Sequence, residues 1–316
     1  MAGRTLAAAV LERWFTGRGE DSLISFLEGD NRPAVVESST SAILPSGARP
    51  PAAATSVVEY QGSWKESGDE ILVAGQSLEL LDYVAAPFVE IVGPTVVRFG
   101  SAAGWMAFIQ DADLARDEGT LPYHLCDPAV LLADSRILED PWSVQAVDRI
   151  QVGCDGDMRV GLQGQHLDPT DALAPRPRYE ALAGIGDSSG IRAALESRPW
   201  MALLVGALDV IRLTHADPRT TRVIGLGRSL IGDAEMLLGL RSDIVLTEER
   251  GDIVLANRVT RRRFRLDASS ALVAESALGA RSHEEALERV CAATLCSRQE
   301  AASAISSLSA RLGVAS

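Results

Sequence analysis

The stretch 242–314, SDIVLTEERGDIVLANRVTRRRFRLDASSALVAESALGARSHEEALERVCAATLCSRQEAASAISSLSARLGV, carries the most explicit structural pattern in the chain. DIVLTEE and DIVLAN read as two strands, and the Arg250-Gly251 pair between them as a tight turn. RRFRLD reads as a third strand. Side chains alternate along a strand, so Phe264 and Leu266 share one face and Arg263 and Arg265 the other. Asp267 can cap a helix over 268–278, which Gly279 ends. Ser282-His283-Glu284-Glu285 and Ser297-Arg298-Gln299-Glu300 are both capping boxes: the Ser oxygen takes the amide three residues on, and the Glu carboxylate reaches back. Leu287, Val290 and Leu295 are then expected to face inward. Ala301, Ile305, Leu308 and Leu312 fall at i, i+4, i+7 and i+11, one apolar stripe. Three strands followed by three helices make a winged-helix-like α+β module over 242–316.

This arrangement resembles the PqqD-like element of ribosomal-peptide biosynthesis, the RiPP recognition element. The residues that carry the resemblance are the second strand ending in Leu255 and Asn257, the passage Phe264-Arg265-Leu266-Asp267, and LVAESALGARSHEEALERV, an apolar helix, a Gly and a Ser-capped helix. With the element behind a large additional domain and a composition rich in Arg and Ala, the whole chain is similar to the recognition proteins of daptide-type clusters. The resemblance implies an accessory protein with no catalytic residues, cofactor or metal of its own. It would bind the leader of a precursor peptide and deliver it to an oxidative decarboxylase, an aminotransferase and a methyltransferase.

The physics of such a module is strand addition. The third strand, Arg261 to Leu266, is expected at a sheet edge, where a leader docks as a fourth strand and sends apolar residues toward the last helix. The candidate peptide-binding residues are Arg261, Arg262, Arg263, Phe264, Arg265 and Leu266 on the strand and Arg298, Ala301, Ile305 and Leu308 on the helix. The Arg run would attract an acidic leader. It would equally protect an edge strand from aggregation.

Outward from this module, charge is uneven. Residues 241–316 hold 11 Arg and 10 acids, while the whole chain of 316 residues has a net charge of −13. A boundary near Ser242 follows, with a mixed α/β domain over 1–241. There, a helix is predicted around Ala7, Val10, Leu11 and Trp14, ended by Gly17, and a second short helix in DSLISFLEG. The Ser/Ala/Pro-rich segment at about 38–56 reads as a flexible loop or edge strand. VVEY, EILVAG, FVEIVG and TVVRFG read as strands, and 102–117 as a helix capped by Ser101. RIQVGCDGDMRVGL reads as a hairpin turning at Gly156. IRAALE, capped by Asp187 or Ser188, and PWMALLVGALDVIRL, with Pro199 at its first position, read as helices, and TRVIGL as a strand.

The chain is 47% apolar, enough for a sizeable core. Its longest apolar run, WMALLVGAL, is interrupted by Asp209 and is too short to span a bilayer. No secretory signal is read at the N-terminus, so a soluble, cytoplasmic protein is expected. The acidic balance argues against a polyanion binder, and the last helix offers only Arg298 and Arg311 for base edges, so a winged-helix DNA regulator is the second reading. A third is an enzyme whose site lies within 57–240. No motif supports it. Gly225, Gly227 and Gly232 miss the dinucleotide spacing, GIGDSSG lacks a following Lys, and His124, His166, His215 and His283 are not at metal-ligand spacing. Cys126, Cys154, Cys291 and Cys296 are too few for a disulfide scaffold.

Overall fold

The computed structural model describes residues 2–19, 22–31, 33–168, 170, 172–232 and 243–312. In chain order its elements are α1 (Ala2–Thr16), β1 (Ile24–Leu27), β2 (Ser41–Pro45), β3 (Ser56–Gly62), β4 (Glu70–Val73), β5 (Gln76–Asp82), β6 (Thr95–Arg98), α2 (Ala102–Glu118), β7 (Val130–Leu132), α3 (Ser135–Glu139), β8 (Val144–Gln145), β9 (Arg149–Val152), β10 (Met158–Val160), β11 (Arg176–Pro177), α4 (Ser188–Glu196), α5 (Met201–Thr214), β12 (Thr221–Val223), β13 (Ile244–Glu249), β14 (Asp252–Asn257), β15 (Arg262–Leu266), α6 (Ala268–Leu278), α7 (His283–Thr294) and α8 (Arg298–Leu312). The fold is mixed α+β. Two compact units divide it: unit one is 1–109 with 129–197, and unit two is 110–128 with 198–316. The expected boundary residue, Ser242, lies outside the described residues.

Unit one is built on a nine-stranded sheet in the order β10-β9-β1-β2-β3-β4-β5-β6-β7. Strands β9, β1, β2, β3, β5, β6 and β7 run parallel; β4 and β10 run against them. One face of the sheet curls around α1. Trp14 and Phe15 are fully buried with Phe26 of β1, Tyr60 of β3, Ile71 of β4, Leu80 of β5 and Val96 of β6. Trp14, Phe26 and Tyr60 stack in sequence, and the Tyr60 hydroxyl donates to the Leu27 carbonyl at 2.9 Å. Arg149 of β9 and Asp134, just after β7, form a buried ion pair at 2.8 Å, joining residues from opposite ends of the strand order.

Several expectations fail here. DSLISFLEG forms β1, not a helix: its four strand residues are buried between β9 and β2. A strand buried on both faces has no solvent-facing side, so it lacks the regular alternation that distinguishes a strand from a helix turn; here even Ser25 is buried. The Ser/Ala/Pro-rich segment contains β2, an interior strand with four buried residues. FVEIVG is not a strand; Phe88 and Val92 are each 88% exposed. Other local readings hold. Gly17 and Gly119 end α1 and α2 at φ +71° and +70°, Ser101 accepts the Gly104 amide, and Asp187 caps α4. The hairpin β9–β10 turns through Gly156, at φ +86°. Pro199 falls before the cap of α5, which is Trp200, not at its first position.

In unit two, an antiparallel sheet runs β12-β13-β14-β15. Arg250 and Gly251 both have positive φ, the conformation a two-residue hairpin turn requires. Asp267 Oδ1 accepts the Ser270 amide at 2.8 Å and starts α6. Ser297 and Glu300 form the full reciprocal box at α8. At α7 the Ser282 oxygen takes the Glu285 amide as expected, but the Glu285 carboxylate reaches the Arg281 amide, one residue earlier than the box predicts. Leu287 and Val290 are buried, whereas Leu295 caps α7 at φ +54° and is 93% exposed. The sheet also includes β12, which extends it to residues well before 242.

Candidate functional site

β15 closes one side of its sheet. β14 pairs with it residue by residue from Ile253↔Leu266 to Asn257↔Arg262, and among the described residues no strand lies on its other side. Its outward amide and carbonyl groups are a template for another strand. Arg261, expected in this strand, sits instead in the preceding turn at φ +55°. That turn is fixed at two points. Asn257 Oδ1 accepts the Thr260 amide at 2.9 Å, and Arg258 Nη1 donates to Asp209 Oδ2 at 2.6 Å. Asp209, the residue that interrupts the apolar run of α5, is buried and also accepts from Arg212.

The two faces of β15 differ. On the helix side, Phe264 and Leu266 join Leu246, Leu255, Ala271 and Leu308 in one apolar cluster. A cleft of about 160 Å³ opens there, lined by Leu266, Ser270, Val273, Ala304, Ser307 and Leu308. On the opposite side, Arg263 donates to both Glu249 oxygens at 2.8 Å, and Arg265 lies 3.0 Å from Asp252. These two Arg side chains line a second, polar cleft of about 590 Å³ with His215, Asp217, Glu249 and Asp252. A strand added to β15 would send successive side chains to these two faces in turn.

The candidate residues are thus divided. Phe264, Leu266 and Leu308 come together. Arg263 and Arg265 share the polar face, and Arg262 is exposed at the start of the strand. Ala301 and Ile305 are buried among Val273, Ala286, Leu287 and Val290 and belong to the three-helix core. Arg298 pairs with Glu284 and ties α8 to α7 on the surface. Sequence reading missed Ser270, Val273, Ala304 and Ser307. Their signal was available: Ala304 and Ser307 lie one position round the helix from the Ala301–Leu308 stripe.

The walls of the apolar cleft are held by helix caps. The Ser270 amide holds the Asp267 carboxyl below its ordinary range, and the Ser297 hydroxyl and amide do the same for Glu300. Behind the cleft, the fully buried Glu275 of α6 accepts from the Ser229 hydroxyl at 2.7 Å and the Leu230 amide at 2.8 Å. Burial pushes its carboxyl up, and these donors pull it partway back. No titratable pair suited to acid–base or nucleophilic chemistry lines the apolar cleft. Among the described residues no cluster of His, Cys, Asp and Glu could hold a metal, and no helix is long and apolar enough to cross a membrane. No protein-family model, curated protein or solved structure matches the chain.

Proposed function

We propose that the C-terminal part of the chain is a winged-helix-like, PqqD-like recognition element. It takes the leader of a ribosomally made precursor peptide as an added strand on β15 and presents the peptide to modifying enzymes in the cytoplasm. Those enzymes are the decarboxylase, aminotransferase and methyltransferase that the daptide-type resemblance implies. The observation that carries the reading is the open edge of β15 running beside the apolar cleft bounded by Leu266 and Leu308.

The energetics set what the leader must bring. Each added backbone hydrogen bond nets about 1 kcal/mol. Fixing each leader residue costs about 1–2 kcal/mol. Affinity therefore comes from apolar anchors in the cleft, at about 1.5–3 kcal/mol each. The exposed Arg262 and Arg265 add attraction for acidic leader residues that is screened by salt.

The test is fluorescence anisotropy with labelled leader peptides of daptide-type precursors. Ser307 is exposed on the cleft wall, so Ser307→Trp fills the cleft without entering the core. It is expected to weaken binding about tenfold or more, the loss of one anchor, with an unchanged circular-dichroism melt. Replacing Arg262 and Arg265 by Ala is expected to weaken binding about two- to fivefold per charge at low salt. Wild-type affinity in the folded Ser307→Trp protein would overturn the proposal.

A further inference from the structure

Unit one contains a cleft of about 460 Å³ that the recognition reading does not use. Its walls come from one end of the sheet. Glu28 follows β1, Gly153 and Cys154 follow β9, Trp64 and Lys65 follow β3, and Arg98 ends β6. All four strands are parallel, so these are four carboxyl ends. Asp157 and Arg159 join from the start of β10, which runs the other way and so begins at the same end. From β1 the chain builds outward through β2 and β3, then returns with β9 on the other side of β1. The reversal falls between Glu28 and Cys154. The crevice outside the carboxyl ends at such a reversal is where parallel sheets bind ligands.

The polar groups in the cleft are unevenly satisfied. Glu28 accepts from Gln151 Nε2 at 2.7 Å and lies 3.2 Å from Lys65 Nζ. Asp157 lies 3.1 Å from Arg159 Nε and 2.5 Å from His166 Nδ1. Asp155 folds back on its own turn and accepts the Asp157 amide. Arg98 is bound to Asp82 and to the Lys65 carbonyl. The acids are therefore engaged within the chain. The side chains of Lys65 and Arg159 stay 54% and 50% exposed, with donor hydrogens beyond those their pairings use. On the floor, Trp64 and Leu162 are nearly fully buried, and among the described residues the Trp64 Nε1–H finds no acceptor. The Glu28 carboxylate beside it holds the Lys65 ammonium above its ordinary range.

We propose that this cleft binds a small molecule carrying one carboxylate on an apolar body, the carboxylate between Lys65 and Arg159 and the body over Trp64 and Leu162. A monoanion fits better than a phosphate. Three cations and three carboxylates line the cleft, and a dianion would add a second negative charge opposite Glu28, Asp155 and Asp157.

Cys154, an exposed free thiol in the cleft wall, provides a local reporter. The full-length protein is alkylated with iodoacetamide, and each cysteine is followed by peptide mass spectrometry, with Cys291 and Cys296 as references in the same sample. Millimolar phenylacetate or hexanoate is expected to slow alkylation of Cys154 alone. Benzyl alcohol and inorganic phosphate are expected to leave it unchanged. Lys65→Ala is expected to raise the half-protecting concentration about tenfold, the loss of one charge-assisted contact, and Lys65→Arg to restore most of it. Should Lys65→Ala fail to fold, the exposed Arg159→Ala decides instead. The proposal fails if neither carboxylate protects Cys154, if benzyl alcohol protects it equally, if only phosphate does, or if the folded cation variants are protected like wild type.

Discussion

In the C-terminal sheet, β13 pairs with β14 and β14 with β15, each with the next strand in the chain, through the Arg250-Gly251 turn and the loop at 258–261. In the nine-stranded sheet, Ile24 of β1 lies opposite Arg149 of β9. Both sheets bury Val, Ile and Leu, yet their strands find partners by different means. A hairpin is specified by residues at the turn, and its closure is cheap. A parallel pairing between distant segments carries no turn signature. It is selected by the burial that the completed sheet provides, as α1 shows by packing against β1, β3, β4, β5 and β6 at once.

That contrast can be broken first at its long-range end. Asp134→Ala removes one partner of the buried Arg149–Asp134 pair, whose side chains are 5% and 0% exposed, and also an acceptor for Gln163. The expected loss is about 3 kcal/mol, because Arg149 stays charged and buried with the Trp14 carbonyl and the more distant Asp148, at 3.8 Å, as partners. Thermal unfolding measures it, and Arg149→Met in the same chain is expected to recover part of the loss. A change below about 1 kcal/mol would show that closure does not depend on this pair.

The second test asks how local the C-terminal sheet is. A fragment starting at residue 240 has the three strands and three helices read from sequence but lacks β12 and the Ser229 and Leu230 donors to Glu275. It is expected to be less stable than a fragment starting at residue 217 by about 1–3 kcal/mol, the cost of leaving a buried acceptor unsatisfied. Denaturant melts of the two fragments compare them directly. Equal stability would make the sequence-read module self-sufficient.

The smallest expected effect is in the pH dependence of the 217–316 fragment. Asp267, Glu285 and Glu300 have lowered carboxyls, held by the Ser270 amide, the Arg281 amide and the Ser297 hydroxyl respectively. Their stabilisation is present above the ordinary carboxylate range and is lost as pH falls through their lowered values. Glu275 is raised by burial, so its contribution runs the other way and is lost as pH rises from the ordinary glutamate value through the raised one. Melting temperature is therefore expected to fall toward acid. Glu300→Gln should flatten that limb, and an unchanged limb would mean the caps do not set it.

Legibility follows the same division. The Asp267, Ser282 and Ser297 caps were readable because each bond joins residues three apart. The Phe264/Arg265 alternation was readable because period two survives wherever one face is solvated. ISFL and SAILP were misread because both are interior strands and buried almost throughout. Of the residues expected at the candidate site, Leu266 and Leu308 line the cleft, whereas Ala301 and Ile305 pack into the helix core. An apolar stripe shows that a helix has a buried side. It does not show which part of that side faces a neighbouring helix and which faces an opening, because the docking of α8 on α6 and α7 decides that.

From sequence alone, this chain specifies the caps at Asp187, Asp267, Ser282 and Ser297, the turns at Gly156 and Arg250-Gly251, and which side chains of β15 share a face. Each of these is an interaction over a few residues, through a hydrogen bond or a backbone angle that a single residue type favours. The tertiary structure decided that β9 returns to flank β1, that Glu28, Lys65 and Cys154 meet at one end of the sheet, and that Ser229 and Leu230 satisfy Glu275. Those partners are far apart in the chain, and what brings them together is apolar area shared across many strands, which no short stretch of residues encodes.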